Sequence, residues 1–455
     1  MKKILLLVIP LLLSITACQN KPNGNTSSEE TTEESTGEPF DWSPVDQEIK
    51  GSYNYFKFAT NLTEGSKGYG LSQDRLTDRK TSSIAATGFL LGSYPVFVEE
   101  GLMKKSDLKT IVDGTFDTIL RIQSDTTTSY EGCISHFVDI ETGKRLNESE
   151  VSTIDTAILV SGAITVSEYL EDEALISKSN QIWSNVDYNK FITQKSGKSY
   201  ISMGISDFDN PKQLSPWDYY AEQLMIYILG AGNPNADHRI SSLLYKNFTR
   251  SRGAYGGIEH IYSWFGSIFT YQYSQAFYNF KLYNDYKGNN FYENSVKASQ
   301  TNYLYCQQLS KTYDTFSDSS WGLTACDTPK GYSGLLGSYP NGAHESSGEY
   351  MEILGTVAPT GALGSMPFTP EESHRALKYY QSLKELNHKS FGLFDAFNLN
   401  YKGKEWYDGD MIGIDKGIGV MQMYNYKNPD FISNLAMKNP YVIEGFINNE
   451  FVEVK

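Results

Sequence analysis

The sequence predicts an all-α fold, a toroid of buried inner helices ringed by outer ones, behind a cleaved leader and a solvated tether. Three observations predict it. Segments with helical periodicity recur along the chain, some apolar on every side. Long Gly/Asn/Asp-rich loops separate them, and no fixed-period repeat is visible, which argues against a solenoid. From about Phe40 to Lys455 no Pro/Ser-rich linker or composition break intervenes, so residues 41–455 read as one large domain.

The leader comes first. Lys2 and Lys3 precede an apolar run over residues 4–13, closed by Ile15-Thr16-Ala17-Cys18. Basic, apolar, small is the order of a secretory signal peptide, too short for a permanent span. A Cys after Thr-Ala has the form of a bacterial lipobox, so removal of residues 1–17 and acylation of Cys18 are expected. Each buried CH₂ would add about 0.8 kcal/mol of membrane attachment. Residues 18–40 carry Glu29, Glu30, Glu33, Glu34 and Glu38 and almost nothing apolar, the composition of a disordered tether. The expected location is the cell envelope, lipid-anchored at the outer membrane or periplasmic face.

In the domain, residues 106–123 place Leu108, Ile111, Val112, Phe116, Ile119 and Leu120 on one stripe, with Ser106 as N-cap. Residues 152–170 are apolar almost all round and must be buried on most sides. A helix over 221–230 closes at Gly230. Residues 264–284 are aromatic at helical spacing. Thr369-Pro370-Glu371-Glu372 reads as a capping box with Pro at the first helical position, opening a helix over 369–385. The loops 325–350 and 400–415 are long for a compact domain, as functional loops often are.

Composition excludes some functions. There are 54 Asp+Glu against 39 Lys+Arg, a net charge of −15, which is wrong for nucleic acid and compatible with a neutral ligand. Beyond Cys18 the cysteines are Cys133, Cys306 and Cys326, an odd, widely spaced set that reads as buried thiols. The six histidines show no metal-ligand spacing, so no metal and no cofactor are expected. Aromatic residues make up 14% of the chain, with 33 Tyr, and such rings suit the flat C–H faces of sugars as well as a core.

Cleavage of a glycosidic bond needs one protonated and one ionised carboxyl, so acids in apolar surroundings are the informative ones. Glu222 follows Trp217-Asp218-Tyr219-Tyr220-Ala221, where Trp217 and Tyr220 could form a low-dielectric wall and a sugar platform; a dipole-stabilised Glu at a helix start is an equal reading. Asp155 heads the apolar 152–170 segment, costly unless paired or working, although Ser152 capping is a strong alternative. Glu150 and Asp139 lie close to it in sequence. Asp415 sits in Gly413-Ile414-Asp415-Lys416-Gly417, where it is a ligand-facing acid or a turn Asp paired with Lys416. Asp327 follows Trp321-Gly322, with Trp321 a sugar platform or a core residue.

Together these motifs resemble the bacterial endo-β-1,2-glucanase family and the glucoamylase-like group around it. The matching stretches run in order along nearly the whole domain: 81–88, 149–156, 217–222, 321–325, 355–360, Asp395-Ala396-Phe397-Asn398 and 413–417. The resemblance implies an (α/α)₆ barrel and inverting hydrolysis of β-1,2-glucan, either endo or with release of sophorose. It implies Glu222 as general acid, Asp415 as base acting through a substrate hydroxyl, and Glu150, Asp155 and Asp139 lining the cleft. Relatives often carry an HQYSH-like stretch, where this chain has Tyr271 and Gln275. The expected partner is a β-glucan, and a monomer is expected. A non-catalytic glycan-binding lipoprotein, or a hydrolase or transglycosylase for another β-glucan, are the competing readings.

Overall fold

The computed structural model describes residues 40–454 apart from 207, 209, 221 and 349–352. Contacts divide the chain into Met1–Asp41 and Trp42–Lys455. The leader, Cys18 and nearly all of the expected tether lie outside the described residues, and the account below concerns the second unit.

Helices alternate between an outer and an inner position. Outer α1 (Ser43–Ala59) leads to inner α2 (Ile84–Glu99), and outer α3 (Lys105–Gln123) to inner α4 (Thr153–Leu170). Then come α5 (Glu173–Ser184), α6 (Leu224–Ala231), α7 (Ser242–Asn247), α8 (Tyr273–Phe277) and α9 (Phe291–Leu309). The chain closes with α10 (Gly342–Ser347), α11 (Pro359–Leu363), α12 (Pro370–Ser382), α13 (Gly413–Lys427), α14 (Phe431–Ala436) and α15 (Pro440–Asn448).

Sequence dictates which helices go inside. Every residue of α4, α6, α8 and α11 is buried, as is nearly all of α2 and most of α13, whereas α3 buries only the stripe through Leu108, Val112, Phe116 and Ile119. Helix α2 packs on both α4 and α13, α4 also meets α6 and α8, and α13 meets α8 and α11, which makes a helical toroid. Two glycines set the closest approach. A Cβ on Gly88 would lie 2.6 Å from the Ile158 carbonyl, and one on Gly162 would lie 2.0 Å from the Gly88 oxygen. Only glycine lets these two backbones touch.

Strands are minor: among the described residues they form eight two-stranded antiparallel ribbons. Two of them aim the inner helices. Thr81–Ser83 pairs with Phe137–Asp139 and runs straight into α2, and Val151–Ser152 pairs with Gly204–Ile205 and runs straight into α4. The first turns of α2 and α4 therefore open at one ribbon-lined end, with Ser83 and Ser152 as N-caps. The ends of the unit are joined by a buried ion pair. Lys416 of α13 donates to Glu48 of α1 at 2.8 Å and to the Phe391 carbonyl at 2.9 Å.

The structure corrects several local expectations. Helix α3 starts at Lys105 after Lys104, and the Ser106 hydroxyl bonds Asp107 instead of capping. The 264–284 segment is broken into 3₁₀ turns around the short α8. Thr369 precedes α12 but makes no cap bond, its hydroxyl turning to Ser365 and Ser373. Helix α6 begins at Leu224 and ends at Ala231, with Gly232 rather than Gly230 as its C-cap, so Glu222 stands before the helix. Cys133, Cys306 and Cys326 are free, buried thiols.

Candidate active site

Glu222 and Asp415 line one cavity of about 500 Å³ at the ribbon-lined end of the toroid, together with Glu150, Asp155 and Trp217. Each acid arrives by a separate route. The 217–223 segment is held in a non-helical path: the Tyr220 N–H donates to Thr249 at 3.1 Å, and the Ser274 hydroxyl of α8 donates to the Glu222 carbonyl at 3.2 Å. Asp415 lies in the first turn of α13. Gly413 lets that turn begin against the 73–74 backbone, since a Cβ there would lie 2.8 Å from the Gln73 oxygen. The glycine thus admits the protein's own chain, not a ligand.

Protein encloses Glu222 except where it opens on the cavity. Burial, and then the negative Asp155, push its carboxyl up to about 8, against the opposing pull of His136. At neutral pH it holds a proton it can donate. Asp155 caps nothing with its carboxylate; its N–H bonds Ser152 at 3.2 Å, and its side chain turns to His136, 3.8 Å away. His136 Nδ1 meets Glu150 at 3.0 Å. Burial opposes the imidazolium, but Asp155 and Glu150 outweigh it and raise His136 to about 9. The ribbon fixes this trio, because the Ile84 N–H donates to the His136 carbonyl and the His136 N–H donates to the Glu150 carbonyl.

Asp415 sits in a second carboxylate group. Burial raises it to about 6, while a hydrogen bond with Asp395 and the nearby Arg75 oppose the rise. It is thus mostly ionised at neutral pH, beside a Glu222 that is mostly protonated. Behind it, Asp395 is 5% exposed and takes the Asp327 N–H at 2.8 Å, and Arg75 reaches Asp327 at 2.5 Å. Burial, then Asp395, push Asp408 up to about 7. Asp327, Asp395 and Asp408 each offer one oxygen within 4.8 Å of the others. Arg75 already supplies the positive charge to this cluster, so we assign no metal to it.

A second cavity of about 480 Å³ adjoins the first and shares Glu222, Trp217, Met203 and Phe269 with it. Its wall is aromatic: Tyr219 lies edge-on to Trp264 at 5.2 Å and stacks with Tyr262 at 6.2 Å. Trp217 is fixed at the junction by its indole N–H, which donates to Thr153 at 3.1 Å.

The structure brings together Glu222, Asp415, Glu150, Asp155 and Trp217, and separates the others. Asp139 is turned away: its carboxylate takes the N–H groups of Glu141 and Thr142 and caps that turn. Trp321 is fully buried and edge-on to Tyr303, so it is core and no sugar platform. Tyr220 is 2% exposed and stacked on Phe291, reaching only the edge of the second cavity. Asp327 stands behind Asp415 and not in the cavity. Sequence reading missed Asp74, Arg75, His136, Tyr273 and Tyr332 as cavity residues. The Asp74-Arg75 pair ahead of a strongly apolar helix was the one available signal.

A mostly helical toroid whose cleft unites two carboxyls of raised but different pKa is the class that fold and site define. A family model, Glycoamylase, described as "Putative glucoamylase", matches residues 215–440. Residues 215–440 thus resemble this glucoamylase-like group. The chain is 25% identical over 419 residues to an exo β-1,2-glucooligosaccharide sophorohydrolase (non-reducing end) of Parabacteroides distasonis, covering 83% of this chain and 54% of that protein. The chain thus spans about half the length of that curated relative. The structure is similar to an endo-β-1,2-glucanase from Chitinophaga pinensis in complex with sophorotriose and glucose, with TM-score 0.74, 23% identity, and 90% and 97% of the two chains covered. It is also similar to a β-1,2-glucanase from Parabacteroides distasonis, with TM-score 0.71, 23% identity, and 90% and 60% covered.

Proposed function

We propose that the protein is a glycoside hydrolase that cleaves β-1,2-glucan with inversion, on an (α/α)₆ barrel whose six inner helices are α2, α4, α6, α8, α11 and α13. The observation that carries this reading is the opposite protonation of two carboxyls on one cavity, Glu222 at about 8 and Asp415 at about 6. Glu222 donates its proton to the glycosidic oxygen as the bond breaks. Asp415 takes the proton of the attacking water, relayed through a substrate hydroxyl. The names of the relatives support the linkage.

The cleft has a direction under this reading. Glu222 borders both cavities, while Asp415 borders only the first. The sugar attacked by water therefore occupies the first cavity, and the leaving saccharide lies along Trp217, Tyr219 and Trp264 in the second.

The test is incubation of residues 41–455 with β-1,2-glucan, following the anomer first released and the chain length of the products. Inverted product supports Asp415 as base, and retained product would require a carboxylate nucleophile instead. Disaccharide from the first time point marks exo release of sophorose; a ladder of lengths marks endo cleavage. Absence of turnover with retained glycan affinity would favour the glycan-binding alternative. We also propose that acylation of Cys18 anchors the domain at the cell envelope, in which case C18A moves the protein from the membrane to the soluble fraction.

A further inference from the structure

We propose that Asp395 is a positioning residue that carries the proton of a carboxyl–carboxylate pair with Asp415 and gives the base one fixed hydrogen bond. The inference rests on Asp415 being the base, as argued above.

Asp395 lies just ahead of strand Phe397–Tyr401 and is 5% exposed. One of its oxygens, Oδ2, accepts the Asp327 N–H at 2.8 Å. The other, Oδ1, is buried and receives no N–H or hydroxyl; Asp395 and Asp415 line the same small cavity, where the Asp415 carboxyl bonds Asp395. Two carboxyls in contact cannot both stay ionised, so one proton is shared between them.

The surroundings say where it sits. Asp327 pairs with Arg75 at 2.5 Å and presses its charge on Asp395. Arg75 favours the charged form of Asp415. Asp408, the Cys326 thiol and the Tyr332 phenol also face the pair, and the phenols of Tyr55 and Tyr273 face Asp415. The positive group among these is Arg75, which reaches both members of the pair, but Asp395 is the more deeply buried of the two and has the Asp327 charge against it. Asp395 holds the proton and donates it to Asp415. The base then remains ionised although enclosed, on the wall of the cavity.

Asparagine is the isostere of a protonated aspartate: its oxygen can keep the Asp327 N–H while its NH₂ donates to Asp415. In full-length protein acting on β-1,2-glucan, D395N should retain kcat within about threefold and keep the acid limb of the pH profile in place. D395A should lose kcat on the order of 100-fold, the size of lost general-base assistance, with KM little changed and the acid limb moved to higher pH. If the parent turns over and D395N is as inactive as D395A, the proposal is overturned. A parent that leaves β-1,2-glucan uncut sinks the functional reading instead. The infrared difference spectrum of parent minus D395N at pH 7 then still decides Asp395. A neutral carboxyl C=O band supports the proposal, and a carboxylate band alone overturns it. That spectrum also decides the matter if D395A does not fold.

Discussion

His136 holds Glu150 through Nδ1 at 3.0 Å and faces Asp155 through Nε2 at 3.8 Å, so one imidazolium is shared between two carboxylates beside the proposed acid. Glu222 feels both ends of this arrangement: Asp155 raises it and His136 lowers it. Exchange of each charge should therefore move the alkaline limb of kcat/KM in opposite senses. H136Q shifts it to higher pH and D155N to lower pH. Shifts of the same sign in both variants would disconnect the trio from Glu222.

The parent enzyme should show a bell-shaped kcat/KM. Asp415 must be ionised, so activity is lost as pH falls through about 6. Glu222 must be protonated, so activity is lost as pH rises through about 8. Initial rates between pH 4 and 10 at low substrate check this, and a plateau reaching pH 10 would rule out Glu222 as the acid.

E222Q should lower kcat on the order of 10²- to 10⁴-fold while glycan affinity, measured by calorimetry, changes little. The same change should stabilise the fold at alkaline pH. Glu222 is raised from 4.5 to about 8, so its folded form binds the proton more tightly, and the stability it contributes below 4.5 is lost as pH rises through about 8. Each unit is worth about 1.4 kcal/mol. Melts of parent and variant should coincide near pH 4 and diverge by roughly a few kcal/mol near pH 9, the variant being the more stable.

G162A should destabilise the protein by about 1–3 kcal/mol through overpacking, since its methyl would meet the Gly88 carbonyl oxygen. Thermal melting checks this. The loss should appear without a change in the pH limbs, because α2 and α4 touch there well inside the toroid.

Much of the fold was legible because burial writes itself into composition. The largely apolar 152–170 segment is the longest fully buried helix, and the striped 106–123 segment is an outer one. Glu222 and Asp415 were legible as acids in apolar context. His136 and Tyr332 were not, because nothing local marks them, and Asp74 and Arg75 were marked only by standing ahead of an apolar helix. They become site residues only when ribbons 81–83/137–139 and 151–152/204–205 close contacts between distant segments. Trp321 and Asp139 misled for the same reason. A Trp before Gly, or an Asp near an acidic pair, looks alike whether it faces a cleft, the core or its own turn, and only the hydrogen bonds of Asp139 to residues 141 and 142 decide it.

The ion pair between Lys416 and Glu48 gives the toroid a clasp. It hooks the helix that opens the folded unit to the residue next to Asp415. Deleting α1 would strand an ammonium group in the interior, at a cost of about 3–5 kcal/mol for a broken buried pair. Truncated versions of this protein should therefore begin upstream of Trp42, for trimming from that end reaches the chemistry long before it reaches the cleft.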